Sequence, residues 1–244
     1  MSDQTDTITI EARYCGPPVS GNGGWAAGSL AAHVPGVAEV TLRRPPPLDL
    51  PLTITAGVDG GVAASDEAGV VMEARPVDGL GEVDIPAVSL TQAIEADDPT
   101  TAVYRDHPFP TCFVCGPERS PGDGLCLHPG PVTGLTGVVA SPWAPDPSLV
   151  DAGGLLDRRA VWAALDCPGA MAHIFDGHAC VLGRLAVEIH DLPIIGADHV
   201  VLGWAGEPSG RKLPAHTAIV DPTTGSALAV GRSTWIEVDP AAFT

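Results

Sequence analysis

Two short stretches of this chain are apolar almost all the way round: GWAAGSLAAHV at residues 24–34 and AVWAALDCPGAMAHI at residues 160–174. A helix with no polar face cannot lie on a surface and has to be enclosed by other elements. The rest of the sequence offers strands to do this, because 29 Gly and 25 Pro interrupt it too often for long helices. Each apolar stretch follows a strand-like segment and precedes a run of alternating ones. In the first half these are 7–14, then 37–45, 50–58 and 69–77. In the second they are 133–141, then 179–191, 199–207, 213–221 and 226–238. The spacing predicts one helix near 24–33 and one over 157–174.

Between the halves, residues 78–131 are acidic, Pro-rich and irregular, and are read as a linker with a docked loop. The economical way to enclose one apolar helix is an antiparallel sheet curved around it. The expected class is therefore α+β, a tandem hotdog, with an N-terminal unit at 1–104, a linker at 105–131 and a C-terminal unit at 132–244. An unrelated pair of α+β domains would give a similar pattern.

Composition removes several functions. A net charge of −18 opposes binding to nucleic acid or an anionic membrane surface. No run approaches the roughly 20 apolar residues of a membrane helix. The opening MSDQTDTITI lacks the apolar core of a signal peptide, and six irregularly spaced cysteines in a chain of 244 residues suit a reducing cytoplasm.

Several segments carry a family resemblance. CFVCGPERSPGDGLCLHP resembles the leader ahead of hotdog thioesterases of the phenylacetate-pathway type. GGWAAGSLAAHV with VTLRRPPPLDLPL, and GRKLPAHTAIVDPTTGSALAVGRSTWIEV, resemble the two ends of the thioesterase-like superfamily that includes acyl-CoA thioesterase II. The resemblance implies a His-Gly-Gly motif at the start of the central helix and a catalytic carboxylate seven positions after its second glycine. In the first half Asn22, Gly23 and Gly24 fall on that motif, and Ala31 falls on the carboxylate. In the second half Asp166 falls on the carboxylate, and Arg158 and Arg159 fall on the glycines.

Hydrolysis of a thioester needs a donor for the developing oxyanion and a group that activates water or attacks directly. Gly24 is the candidate donor and Asp166 the candidate base or nucleophile, with Asn22 and Gly23 completing the catalytic set. Asp157 and Asp166 are nine residues apart, about 13 Å along a helix, so the donor must come from the other half. The expectation is a composite site, with Gly24 and Asp166 less than roughly 10 Å apart across a pocket. The opposite pairing, Ala31 with Arg158 and Arg159, should be inactive and lack a carboxylate. Pro168 and Gly169 follow Asp166 closely, so the helix could break there and Asp166 could cap the next turn, and Gly23 and Gly24 could form a plain tight turn.

The reaction implied is hydrolysis of a fatty or aryl acyl-CoA. Non-catalytic acyl-CoA or acyl-carrier binding and, less favoured, enoyl-CoA hydration are the alternatives. Arg158, Arg159, Arg211 and Lys212 could meet coenzyme A phosphates, with Trp25 and Trp162 completing the substrate-binding set; solvated surface arginines are the plain alternative. The partners implied are an acyl-CoA and a second copy of the chain. No cofactor is expected. CFVCG looks like one zinc-ribbon knuckle, and Cys126 with His128 could supply two further ligands. Only one residue separates that pair, so packed reduced thiols without metal are expected instead. His33, His173, His178, His190 and His216 are read as surface or strand residues without partners.

Overall fold

The strand order repeats. In the computed structural model, which describes residues 6–239 and 241, eleven strands form one antiparallel sheet. The first five are β1 (Thr7–Thr9), β2 (Val37–Leu42), β3 (Pro51–Ala56), β4 (Val62–Asp66) and β5 (Gly69–Val77). The others are β6 (Gly130–Pro131), β7 (Val138–Trp143), β8 (Cys180–Ile189), β9 (His199–Ala205), β10 (Lys212–Val220) and β11 (Ala227–Glu237). From one edge the order is β1-β3-β4-β5-β2; from β7 inward it is β7-β9-β10-β11-β8, the same succession. The two series meet where β2 pairs with β8 in the register Ala38↔Val187 to Thr41↔Arg184.

Helix α1 (Gly23–Ala31) packs against β2, β4, β5 and β8. All its residues from Gly24 to Ala31 are buried, as an all-round apolar helix requires. It lies against α4 (Arg158–Ala164), and α5 (Cys167–Ile174) packs on β7 to β11. One continuous core joins Trp25, Leu30, Val40 and Met72 to Val161, Leu165, Met171 and Leu185.

The single helix expected over 157–174 is two. Pro168 has no N–H to offer Ala164 and its ring crowds the turn before it, so the helix stops at Leu165 and restarts at Cys167. The buried Thr217 hydroxyl donates to the Leu165 carbonyl at 2.9 Å, satisfying an acceptor at the break.

Other departures are local. Residues 7–14 give a three-residue strand and a 3-10 turn at Ala12–Tyr14. The strand expected at 133–141 lies at Val138–Trp143, and β4 adds a strand that the small, weakly alternating VAASD does not announce. The irregular stretch contains α2 (Leu90–Ala96), started by a Ser89/Gln92 capping box, and the short α3 (Ala102–Arg105). Its later part is integral to the core: Phe113, Val114 and Leu127 are fully buried, and Phe113 N donates to Cys15 O at 2.7 Å. No helix among the described residues is long and apolar enough to cross a membrane.

Candidate functional site

Helix α1 begins with an asparagine that serves two elements. Asn22 Oδ1 accepts from Trp25 N at 2.9 Å and caps the helix, while Asn22 Nδ2 donates to Asp166 Oδ2 at 2.9 Å. Gly24 N donates to the same oxygen at 2.8 Å. The carboxylate thus closes on the positive end of α1, where backbone N–H groups point outward. A Cβ on Gly24 would stand 2.5 Å from Trp162 O and 2.8 Å from Ala163 Cα, so glycine permits this close crossing of α1 and α4.

Asp166 lies at the break between α4 and α5, 2% exposed. It occupies the N-cap position of α5, yet its side chain makes no cap hydrogen bond. Its carboxylate turns toward α1, and Oδ1 is buried with no hydrogen-bond partner. Burial pushes the Asp166 carboxyl up to about 7, although the Gly24 N–H and Asn22 pull against it. The result is a carboxyl held through one oxygen, with the other buried and unpaired.

Asn22, Gly23 and Asp166 line a cavity of about 650 Å³, walled largely by apolar residues including Phe109, Met171, Ile174 and Leu182. That volume suits a small-molecule site. Gly23 is on this wall; Gly24 is not, and its N–H is already engaged by Asp166. An open Gly24 N–H with a pocket between it and Asp166 is therefore not what the chain builds. The two groups are in direct contact.

The expected coenzyme A contacts lie elsewhere. Arg158, Arg159 and Trp162 line a second cavity of about 870 Å³ beside Ala31. Contrary to expectation this cavity carries carboxylates, from Asp151, Asp157 and Glu188. Arg159 pairs with Asp157 and lies over the Trp25 ring at 4.8 Å. Trp25 is 2% exposed and stacks on Tyr14 at 3.6 Å, which makes it a core residue. Arg211 donates to Glu237 O, and Lys212 is exposed at the start of β10; neither lines either cavity. The guanidinium groups on the Asp166 cavity are Arg43 and Arg44, which sequence reasoning did not single out. They pair with Glu73 and Asp66 respectively. The only sequence signal for them is a basic pair leading into a proline run.

The thiols differ from the expected arrangement as well. Cys126 Sγ points to Gly124 O, and His128 is near Asp97. Neither belongs to the cluster that forms, in which the sulfurs of Cys112, Cys115 and Cys167 all lie within 4.8 Å of one another. Cys167 is 52 residues beyond Cys115, and no spacing rule connects them. His107 Nε2 is 3.4 Å from Cys115 Sγ. Three of the histidines expected to stand alone are partnered: His33 with Asp6, His178 with Glu237, and His173 with Pro214 O.

No protein-family model matches the chain, and no curated protein matches it in sequence. Solved structures do match its fold. A thioesterase candidate from Novosphingobium aromaticivorans is 12% identical with a TM-score of 0.62, over 98% of this chain and 98% of that one. A conserved hotdog-fold protein of unknown function from Alicyclobacillus acidocaldarius is 13% identical, TM-score 0.61, covering 98% and 95%. The tesB protein of Mycobacterium avium subsp. paratuberculosis is 15% identical, TM-score 0.54, covering 88% and 84%. The chain has the hotdog fold, and the structures it resembles along most of their length include proteins described as thioesterase candidates.

Proposed function

We propose that the chain is a tandem hotdog hydrolase that cleaves a fatty or aryl acyl-CoA thioester in the cytoplasm, at one site built from both halves. The repeated strand order supports two units, with the division at 1–104, 105–131 and 132–244. One observation carries the catalytic reading: Asp166 is anchored through Oδ2 by Gly24 N and Asn22 Nδ2, while Oδ1 is unpartnered on a residue lining the cavity.

A water beside Oδ1 gives up a proton to the carboxylate as its oxygen adds to the thioester carbonyl carbon. The carbonyl oxygen becomes an oxyanion, for which the first turn of α1 at Gly23 supplies backbone N–H dipoles. Collapse of this intermediate breaks the C–S bond, and the proton on Asp166 returns to the departing thiolate. The apolar wall takes the acyl chain, and Arg43 and Arg44 meet the coenzyme A phosphates. Engagement of the Gly24 N–H by Asp166 favours a second reading, acyl-CoA binding without turnover.

A panel of acyl-CoA chain lengths with a thiol-reactive dye tests both. Release of free thiol from at least one member supports hydrolysis. Saturable binding in calorimetry with no thiol release would establish the second reading and end the first.

A further inference from the structure

The Cys112–Gly116 turn brings two thiols together. Gly116 N donates to Cys112 O at 2.9 Å and closes the turn. A Cβ on Gly116 would stand 2.5 Å from both Cys112 N and Pro110 O, so the turn closes only with glycine. Cys115 sits one knuckle-length on, and Cys167 comes in from the first residue of α5. All three are buried and none is in a disulfide.

Their spacing suits one metal ion. Zinc–sulfur bonds of about 2.3 Å in a tetrahedron put the sulfurs about 3.8 Å apart. Cys112 and Cys167 are already at 3.9 Å, and all three sulfurs fall within 4.8 Å. His107 has a separate part. Its Nδ1 accepts from Phe109 N at 2.9 Å, which leaves the ring proton on Nε2, 3.4 Å from Cys115 Sγ. The imidazole therefore donates to the sulfur and is not a fourth ligand. His107 and the three cysteines all line the Asp166 cavity, which gives an ion an entry path.

We propose that Cys112, Cys115 and Cys167 bind one zinc ion as thiolates, with His107 donating to Cys115, in place of the packed thiols expected from sequence. The ion ties the segment around Cys112 to the start of α5, one residue after Asp166. The inference stands whether or not the chain hydrolyses thioesters.

The test uses the full chain, reduced and stripped of metal, titrated with Co²⁺. Expected are one equivalent bound, a sulfur-to-cobalt charge-transfer band, and displacement of that band by one equivalent of Zn²⁺. Cys167→Ser should weaken binding at least about tenfold, while Cys126→Ser and Cys180→Ser leave it unchanged. In the wild-type chain, zinc should shield Cys112, Cys115 and Cys167 from alkylation and leave Cys126 reactive, a readout that survives a variant's failure to fold. Absence of the band, its full retention in folded Cys167→Ser, or alkylation of the three cysteines under saturating zinc would overturn the assignment.

Discussion

The Asp166 carboxylate receives the backbone N–H of Gly24 at 2.8 Å, so a residue at the α4–α5 break closes on the first turn of α1, 142 residues earlier in the chain. The contact fixes one carboxylate oxygen and leaves the other unpaired in a buried position. The consequences for catalysis and stability can be measured separately.

Asp166→Asn is expected to lower thioester turnover by ~10²–10⁴-fold, the range for a positioned proton-transfer group. The substitution keeps the side chain's shape and removes a buried charge, so its melting temperature should not fall by a comparable measure. Near wild-type thiol release from folded Asp166→Asn would take Asp166 out of the reaction.

Asn22 can be split into its two duties. Asn22→Ala loses both the cap of α1 and a donor to Asp166, and should cost about 2–4 kcal/mol in denaturant unfolding together with activity. Asn22→Asp keeps an acceptor for Trp25 N but sets a second carboxylate against Asp166. Its stability loss should be larger at high pH than at low pH, where both acids are neutral. Equal losses at both would mean the pair does not interact.

Gly24→Ala should destabilise by ~1–3 kcal/mol or more, because the new methyl meets Trp162 O and Ala163 Cα, which are backbone atoms that cannot rotate away. At Gly28 the nearest atoms are Trp162 Cβ and Cγ at 2.9 Å and Arg159 Cα at 3.2 Å, so a methyl meets the same helix at longer distances than at Gly24. Gly28→Ala should therefore cost less. The midpoints of two urea titrations decide the order.

Arg43→Ala and Arg44→Ala should raise KM for an acyl-CoA and leave KM for the same acyl group on a short, phosphate-free thiol unchanged. The double variant Arg211→Ala, Lys212→Ala should alter neither, since those side chains line neither cavity. A KM increase from the second pair alone would move the coenzyme A path to the β10 turn.

Local chemistry made much of the fold legible. An all-round apolar run marks α1 at Gly23–Ala31, and alternation marks the strands at 69–77, 180–189, 199–205 and 227–237, each to within a few residues. The repeated strand–helix–strands succession carries the hotdog expectation, because an all-round apolar helix leaves few ways of being buried. Asp166 is visible for the same reason, as a lone charge in an apolar run. What the sequence leaves open is every relation that depends on distance through space. Pro168 marks where the helix can break, but the partner of the freed, buried Leu165 carbonyl is Thr217 of β10, 52 residues on. Gly24 as a contact for Asp166, where an open donor was expected, follows from how closely α1 and α4 cross. Cys167 joins Cys112 and Cys115 only because a core-packed loop meets the start of α5. Periodicity and spacing act along the chain. The partners of a buried polar group are chosen by packing across it, and that is where tertiary structure decides.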